Sequence, residues 1–326
     1  MHLTLAQSLE VNVLGPLKVT VGGSERAVPG QKRRALLASL ALRGERVVSV
    51  ERLIDELWES DLPCEPRNAV QHHVVRLRSA LGPQSIAAFP NGYALRNASV
   101  DATEFEQLLA ATRGALRAGD PAAAEQLASR ALALWRGPAL LGLPQMSFRA
   151  HAAHLEALRV DALEEQIEAA LALGRHREIV TSVREAVEEN PLRERLWGQL
   201  MVALYWSGRQ TAALESFREA RQILLEEAGL EPGLQLRRLQ RAILAHDGAV
   251  LEPPASKQEP ARVPVAAAPG DGEQAFVQVL RHLREQLRGA EERYKQALAA
   301  AEEVVSVSAR RELEPEVSAG RRQAVG

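Results

Sequence analysis

Apolar residues recur along this chain with two different periods, and the change between them divides it into segments. Val11-Asn12-Val13-Leu14 and Leu17-Lys18-Val19-Thr20-Val21 are β-rich runs, parted by Gly15-Pro16 and closed by Gly22-Gly23, which predicts a hairpin. From about Gln31 to Arg43 the apolar positions Ala35, Leu36, Leu40 and Leu42 predict a helix. Ser49 is suited to cap a second helix, Val50–Trp58, because its hydroxyl can accept from an orphan backbone N–H; Leu53, Ile54 and Leu57 form that helix's apolar face. A loop with two prolines, Glu59–Pro66, leads to a third helix, Arg67–Leu81. There Val70, Val74, Leu77 and Leu81 fall on one face, and Asn68, Gln71, His72, Val75, Arg76 and Ser79 on the other. Ser85–Phe89 and Tyr93–Arg96 flank Pro90-Asn91-Gly92 and predict a second hairpin with a glycine turn.

Beyond residue 98 the period is helical throughout, with helices expected near 103–117, 121–135, 148–173, 176–189, 194–207, 210–228 and 233–245. An offset of 34 residues pairs Leu163 with Trp197, Gln166 with Leu200, Ala170 with Leu204, Ile179 with Ala213, Val183 with Phe217, and Ala186 with Ala220. Pro191 stands where such a unit ends. A helix pair of this kind cannot bury its apolar face alone, so neighbours stack. Prolines at 253, 254, 260, 264 and 269 mark 248–275 as a linker. Phe276, Leu280, Leu283, Leu287, Ala290, Tyr294, Ala297, Ala301 and Val304 then alternate spacings of four and three, the pattern of a coiled-coil seam or of a lone amphipathic helix over 276–305. Residues 1–9 and 306–326 read as disordered tails.

The resulting fold class is mainly α: a winged helix-turn-helix with small β-sheets over 10–97, an all-α tetratricopeptide-like domain over 98–247, and a C-terminal helix. Composition agrees. Apolar residues make up 46% of the 326 positions but aromatic ones only 4%, so Ala, Leu and Val must do the burying, which favours helix on helix. No apolar run approaches the ~20 residues that span a bilayer, and the N-terminus shows no secretory signal, so a cytoplasmic protein without membrane contact is expected.

Net charge is −2, but its distribution is uneven. Residues 10–97 hold 12 Lys/Arg against 9 Asp/Glu, whereas 98–247 hold 17 against 21. Arg67–Leu81 has three arginines and no acid. A locally basic helix whose outer face carries amides, imidazole and arginine has the groups that bond phosphates and base edges in a major groove. An arginine fork matches guanine O6 and N7 in two simultaneous bonds. An ordinary amphipathic helix with a solvated face has the same pattern when taken alone.

Several segments together resemble the Streptomyces antibiotic regulatory protein family in its short form, over roughly residues 10–246. They are Leu14-Gly15-Pro16-Leu17, Gln31-Lys32-Arg33-Arg34-Ala35-Leu36-Leu37, Val50–Trp58, Val74–Gly82, Gly92-Tyr93-Ala94-Leu95, Ala131-Leu132-Ala133-Leu134-Trp135-Arg136-Gly137 and Gly229-Leu230-Glu231-Pro232-Gly233. That family joins an OmpR-like winged helix to a bacterial transcriptional activation domain. The resemblance implies a pathway-specific activator of antibiotic genes that binds direct repeats in promoter DNA and recruits RNA polymerase holoenzyme, with a homodimer possible on DNA and no cofactor. By the same resemblance Arg76 reaches a base, Asn68, His73 and Arg78 hold phosphates, and the loop with Glu59, Ser60, Asp61 and Glu65 faces polymerase. Arg67, Gln71, His72 and Val75 complete the expected DNA-binding set with Asn91 of the wing. OmpR-like wings often put an arginine in the minor groove; Phe89 stands there here, leaving Asn91 or Arg96 to fill the place, or a wing that touches only the backbone. No G-x-x-x-x-G-K-[ST] loop occurs, so a nucleotide switch is not expected, and the residues after His246 leave no room for a phosphopeptide-binding sandwich.

No enzyme is expected. His151 and His154 share a helical face near Glu156, but H-E-x-x-H is absent. Adjacent His72 and His73 point different ways and make a poor metal site. The lone Cys64 has an acidic neighbour, which disfavours its thiolate, and allows neither an internal disulfide nor a cysteine-based zinc site. The competing expectation is an adaptor whose repeats bind a protein or peptide, with DNA contact incidental.

Overall fold

A computed structural model describes residues 8–58, 62–143 and 146–247. The linker at 248–275, the heptad segment at 276–305, both expected tails up to Gln7 and from 306, and Glu59, Ser60 and Asp61 of the polymerase-facing loop lie outside the described residues. Strand β1 begins at Leu9, inside the stretch expected to be a tail, and Leu9 is buried there.

Strands β1 (Leu9–Asn12), β2 (Lys18–Val21) and β3 (Ser24–Glu25) form an antiparallel ribbon, with Leu9 opposite Val21 and Thr20 opposite Glu25. Three helices follow: α1 (Gln31–Ala41), α2 (Val50–Leu57) and α3 (Pro66–Leu81), with β4 (Val48–Ser49) leading into α2. Ser49 caps α2 as expected, accepting from the Arg52 N–H at 3.2 Å. The second hairpin, β5 (Ile86–Phe89) and β6 (Gly92–Leu95), takes β4 as a third strand in the order β4-β6-β5. This is a winged helix-turn-helix. One strand was not legible in the sequence: β7 (Ala98–Val100) runs parallel to β1 and completes the first sheet, β3-β2-β1-β7.

The glycine expected in the wing's turn plays another part. Phe89 pairs with Gly92, so the turn itself is Pro90-Asn91, and Gly92 sits in β6 outside the left-handed region. A Cβ on Gly92 would stand 2.1 Å from the Val48 carbonyl oxygen. The residue is glycine because β4 passes too close for any side chain.

The remaining described chain is helical: α4 (Asp101–Arg117), α5 (Pro121–Ala133), α6 (Met146–Ala172), α7 (His176–Glu189), α8 (Glu194–Trp206), α9 (Gln210–Ile223) and α10 (Leu234–Ala245), with a π-helical turn at Leu224–Ala228. The 34-residue offset is the spacing of two successive helix pairs. Trp197, Leu200, Leu204, Ala213, Phe217 and Ala220 are all buried in the second pair, and the Trp197 indole N–H donates to the Pro191 carbonyl at 2.8 Å. Proline thus ends one unit and supplies an acceptor to the tryptophan of the next.

Two apolar cores result, and the division between them falls within α6. The first runs from Leu9 through the winged helix, α4 and α5 to Ala162; the second runs from Ile167 to Ile243. The winged helix therefore shares a core with the first helices behind it. The junction is made by two of the resemblance segments. Asp101 Oδ1 accepts from the Val13 N–H at 2.7 Å and Oδ2 from the Leu14 N–H at 3.0 Å, while the Arg136 N–H donates to the Leu14 carbonyl at 2.8 Å. The Arg136 guanidinium reaches the Pro16 carbonyl at 3.0 Å and Asp101 at 3.5 Å. Gly15, at φ +139°, leaves room for this approach, since a Cβ there would lie 3.1 Å from that of Arg136.

Candidate nucleic-acid interface

Three things position α3. Pro66 starts it, where a missing N–H costs nothing. Val70, Val74, Leu77 and Leu81 bury its inner face. A polar lock holds α1 to α2 beneath it: the buried Glu56 carboxylate accepts from Ser39 Oγ at 2.6 Å, Arg43 at 2.5 Å and Arg52 at 3.0 Å. A buried carboxylate needs such partners, because without them its desolvation would cost several kcal/mol (about 3–5 on loss of a partner).

The outer face comes out as the periodicity required. Asn68, Gln71, His72, Val75, Arg76 and Ser79 are all exposed. No described residue bonds or pairs with the Arg76 guanidinium. Val75 is 60% exposed, an apolar surface next to the Arg76 fork. Apolar contact suits a thymine methyl and an arginine fork suits guanine, so this face carries groups with the chemistry that base edges accept.

The flanking residues are engaged. Arg67 pairs with Glu51 of α2, and the Asn68 amide donates to Glu65, the exposed residue preceding α3. Arg78 donates from Nε and Nη2 to the Ile86 carbonyl at 2.9 and 2.7 Å. Its fork therefore ties α3 to the wing. His73 is half-buried and stacks on Trp58 with centroids 6.0 Å apart; Lys32 lies 5.7 Å over the same indole and donates to the Leu57 carbonyl. In the wing Asn91 is exposed, and its carbonyl accepts from the Val50 N–H at 3.0 Å. The Arg96 guanidinium lies 5.5 Å over the Phe89 ring and pairs with Glu45 at 3.2 Å. The carboxylates Glu45, Glu51 and Glu65 were not foreseen as partners of these donors; Arg67 and Glu51 are 16 residues apart, and no helical spacing predicts their meeting.

Burial, followed by the positive charges of His72, Arg33 and Lys32, holds the His73 imidazole below its ordinary range. A histidine depressed in the folded state adds stability that is present above its unfolded pKa of about 6.5 and is lost as pH falls through the lower folded value. The melting temperature should therefore fall on acidification below about pH 6.5. His73→Gln should flatten that slope in part, since His176 of α7 is also depressed by burial. A slope untouched by His73→Gln would assign the effect elsewhere.

Two members of the histidine and glutamate group on α6 have structural partners. Glu156 accepts from the Ala139 N–H at 2.7 Å, and His151 Nδ1 lies 3.2 Å from the Ser147 carbonyl. Among the described residues no group of three or more His, Cys, Asp or Glu is placed to hold a metal ion, and no helix is long and apolar enough to cross a membrane. Cys64 is exposed.

Comparison with known proteins places these features in context. A family model for the bacterial transcriptional activator domain matches residues 100–244, and one for the C-terminal domain of transcriptional regulatory proteins matches 25–93. The transcriptional regulator RedD of Streptomyces coelicolor is 37% identical over 263 residues, covering 77% of this chain and 75% of RedD. The regulatory protein AfsR of the same organism is 35% identical over 283 residues, 84% of this chain; the chain spans only 28% of AfsR. The solved structure of Mycobacterium tuberculosis EmbR in complex with a low-affinity phosphopeptide superposes with a TM-score of 0.70 at 33% identity, covering 74% of this chain and 66% of that one.

Proposed function

The chain belongs to the Streptomyces antibiotic regulatory protein family of transcriptional regulators, and on that footing we propose that it is a cytoplasmic, non-enzymatic activator of a secondary-metabolite gene cluster. It binds duplex DNA at direct repeats near the promoter and recruits RNA polymerase holoenzyme. The observation that carries the DNA-binding part is the outer face of α3, where Arg76 has no partner among the described residues and lies between exposed His72, Val75 and Ser79. In this reading Arg76, Val75, His72 and Gln71 face base edges, and Arg67 and Asn68 at the start of α3 face phosphates. His73 and Arg78 act mainly by position, one packed on Trp58 and the other fastening the wing, whose Asn91 lies at the backbone. Two subunits on repeats about one helical turn apart stand on the same side of the duplex, which favours pairing on DNA. The loop 59–65, whose Glu65 is exposed, faces polymerase.

The EmbR structure is of a complex with a low-affinity phosphopeptide, a feature of that protein that the DNA-binding reading does not require. The test is a footprint on the promoters flanking the protein's own gene, at fixed salt, with wild type and Arg76→Ala. Wild type is expected to protect direct repeats. Arg76→Ala should lose about 1–3 kcal/mol, roughly tenfold to hundredfold in affinity, while its salt slope stays nearly the same. Absence of specific protection by wild type would sink the reading in favour of a repeat-domain adaptor.

A further inference from the structure

Three donors of α3 and the wing are held by carboxylates. Glu51 holds Arg67, Glu65 holds Asn68, and Glu45 holds Arg96, which is spread over Phe89. All three carboxylates are exposed, with Glu51 and Glu45 at 58% and 67%. They differ from Glu56, buried beneath them with three partners of its own. Among the described residues none pairs with Arg76, alone among the arginines of α3. The face thus leaves its base-reading group available while its phosphate-facing donors are occupied by anions.

A carboxylate accepts from a guanidinium or amide with the geometry a phosphate uses. We propose that Glu45, Glu51 and Glu65 are internal phosphate mimics, and that this protein binds DNA by exchanging them for backbone phosphates, which restrains sequence-independent binding. This rests on the DNA-binding reading above. Exposed pairs are individually weak, so the exchange is easily driven once Arg76 finds its base. A duplex without the operator offers only phosphates, and there each retained carboxylate both occupies a donor and repels the backbone. Without the three acids, residues 10–97 would rise from +3 to +6, which strengthens sequence-independent attraction to DNA.

Glu51 and Glu65 also lie at helix starts, where a carboxylate suits the helix dipole. That role alone would make their removal lower the melting temperature and leave DNA affinity unchanged or weaker. The mimic role makes removal strengthen binding. The experiment titrates the full chain into fluorescently labelled operator duplex and a scrambled duplex of equal length over a range of salt. It compares wild type with Glu51→Gln, Glu65→Gln, Glu45→Gln and the Glu51→Gln/Glu65→Gln double variant. Glu106→Gln on α4, exposed and without a role in the three pairs, controls for net charge. Each carboxamide on the face should raise affinity for the scrambled duplex about threefold, and Glu51→Gln and Glu45→Gln, which each free an arginine, should steepen the salt slope by about one; Glu106→Gln should do neither. Equal or weaker binding by the face variants, with wild type binding the operator, overturns the mimics and leaves the activator intact. Wild type that binds neither duplex in a salt-sensitive way overturns both.

Discussion

Replacing Asp101 by alanine is expected to lower the melting temperature by about 10 °C, more than any surface substitution in the chain. Its carboxylate is 5% exposed and accepts from three backbone N–H groups, those of Val13, Leu14 and Ala102, while Arg136 approaches from the side. Burial pushes the carboxyl above its ordinary range, and those donors pull the other way. Alanine would leave the donors dry and without an acceptor, at about 1–3 kcal/mol each, so a total near 3–5 kcal/mol is expected. For a unit of this size each kcal/mol moves the midpoint by about 2–4 °C. Asp101→Asn should fall between, because its amide keeps one acceptor but turns an N–H₂ toward a backbone N–H. Calorimetry checks the midpoint, and hydrogen exchange at Val13 and Leu14 checks the place. A midpoint within about 2 °C of wild type would mean that water replaces the carboxylate, and the junction would not depend on it.

The second large effect is expected at Gly92. An alanine there would set its methyl 2.1 Å from the Val48 carbonyl oxygen and 3.0 Å from Val47 Cγ1. Backbone carbonyls do not yield as side-chain tips do, so β4 must separate from β6, at about 2–3 kcal/mol. The damage extends to binding, because Ser49 pairs with Gly92 and the Val50 N–H reaches Asn91. The start of α2 and the tip of the wing therefore shift together. Gly92→Ala should melt lower than wild type, lose operator affinity, and be cut by protease near the wing. A substitution at Gly44, where φ is +58° and a Cβ meets nothing within 4 Å, carries backbone strain without the clash and should cost less, about 1 kcal/mol. Equal losses at the two positions would show that conformation, and not the approach of β4, makes Gly92 necessary.

The two glycines show where local reading stops. The turn signature Pro90-Asn91-Gly92 located the hairpin correctly, yet the reason for the glycine lies in a strand more than forty residues earlier. The same limit separates Arg76 from its neighbours. Period alone put Arg76, Val75 and His72 on the exposed side of α3, because a helix that buries Val70, Val74, Leu77 and Leu81 must turn the intervening residues outward. Period assigned Arg78 and His73 to neither face and had no means of saying that one would grip the Ile86 carbonyl and the other stack on Trp58.

What the sequence by itself determined was whatever depends on neighbours a few residues away: the helices and their inner faces, the Ser49 cap, the two hairpins, and the 34-residue spacing that buries Trp197 and Phe217. These follow from backbone geometry and from the need to remove apolar side chains from water. Tertiary structure alone decided which donors are free and which are spoken for. Glu51 meets Arg67, Glu45 meets Arg96, and Asp101 gathers the amides of Val13 and Leu14. It also continued the first core past the winged helix into α6. Hydrogen bonds and ion pairs act over a few ångströms in space and are indifferent to separation along the chain, so their partners appear only when the chain has folded.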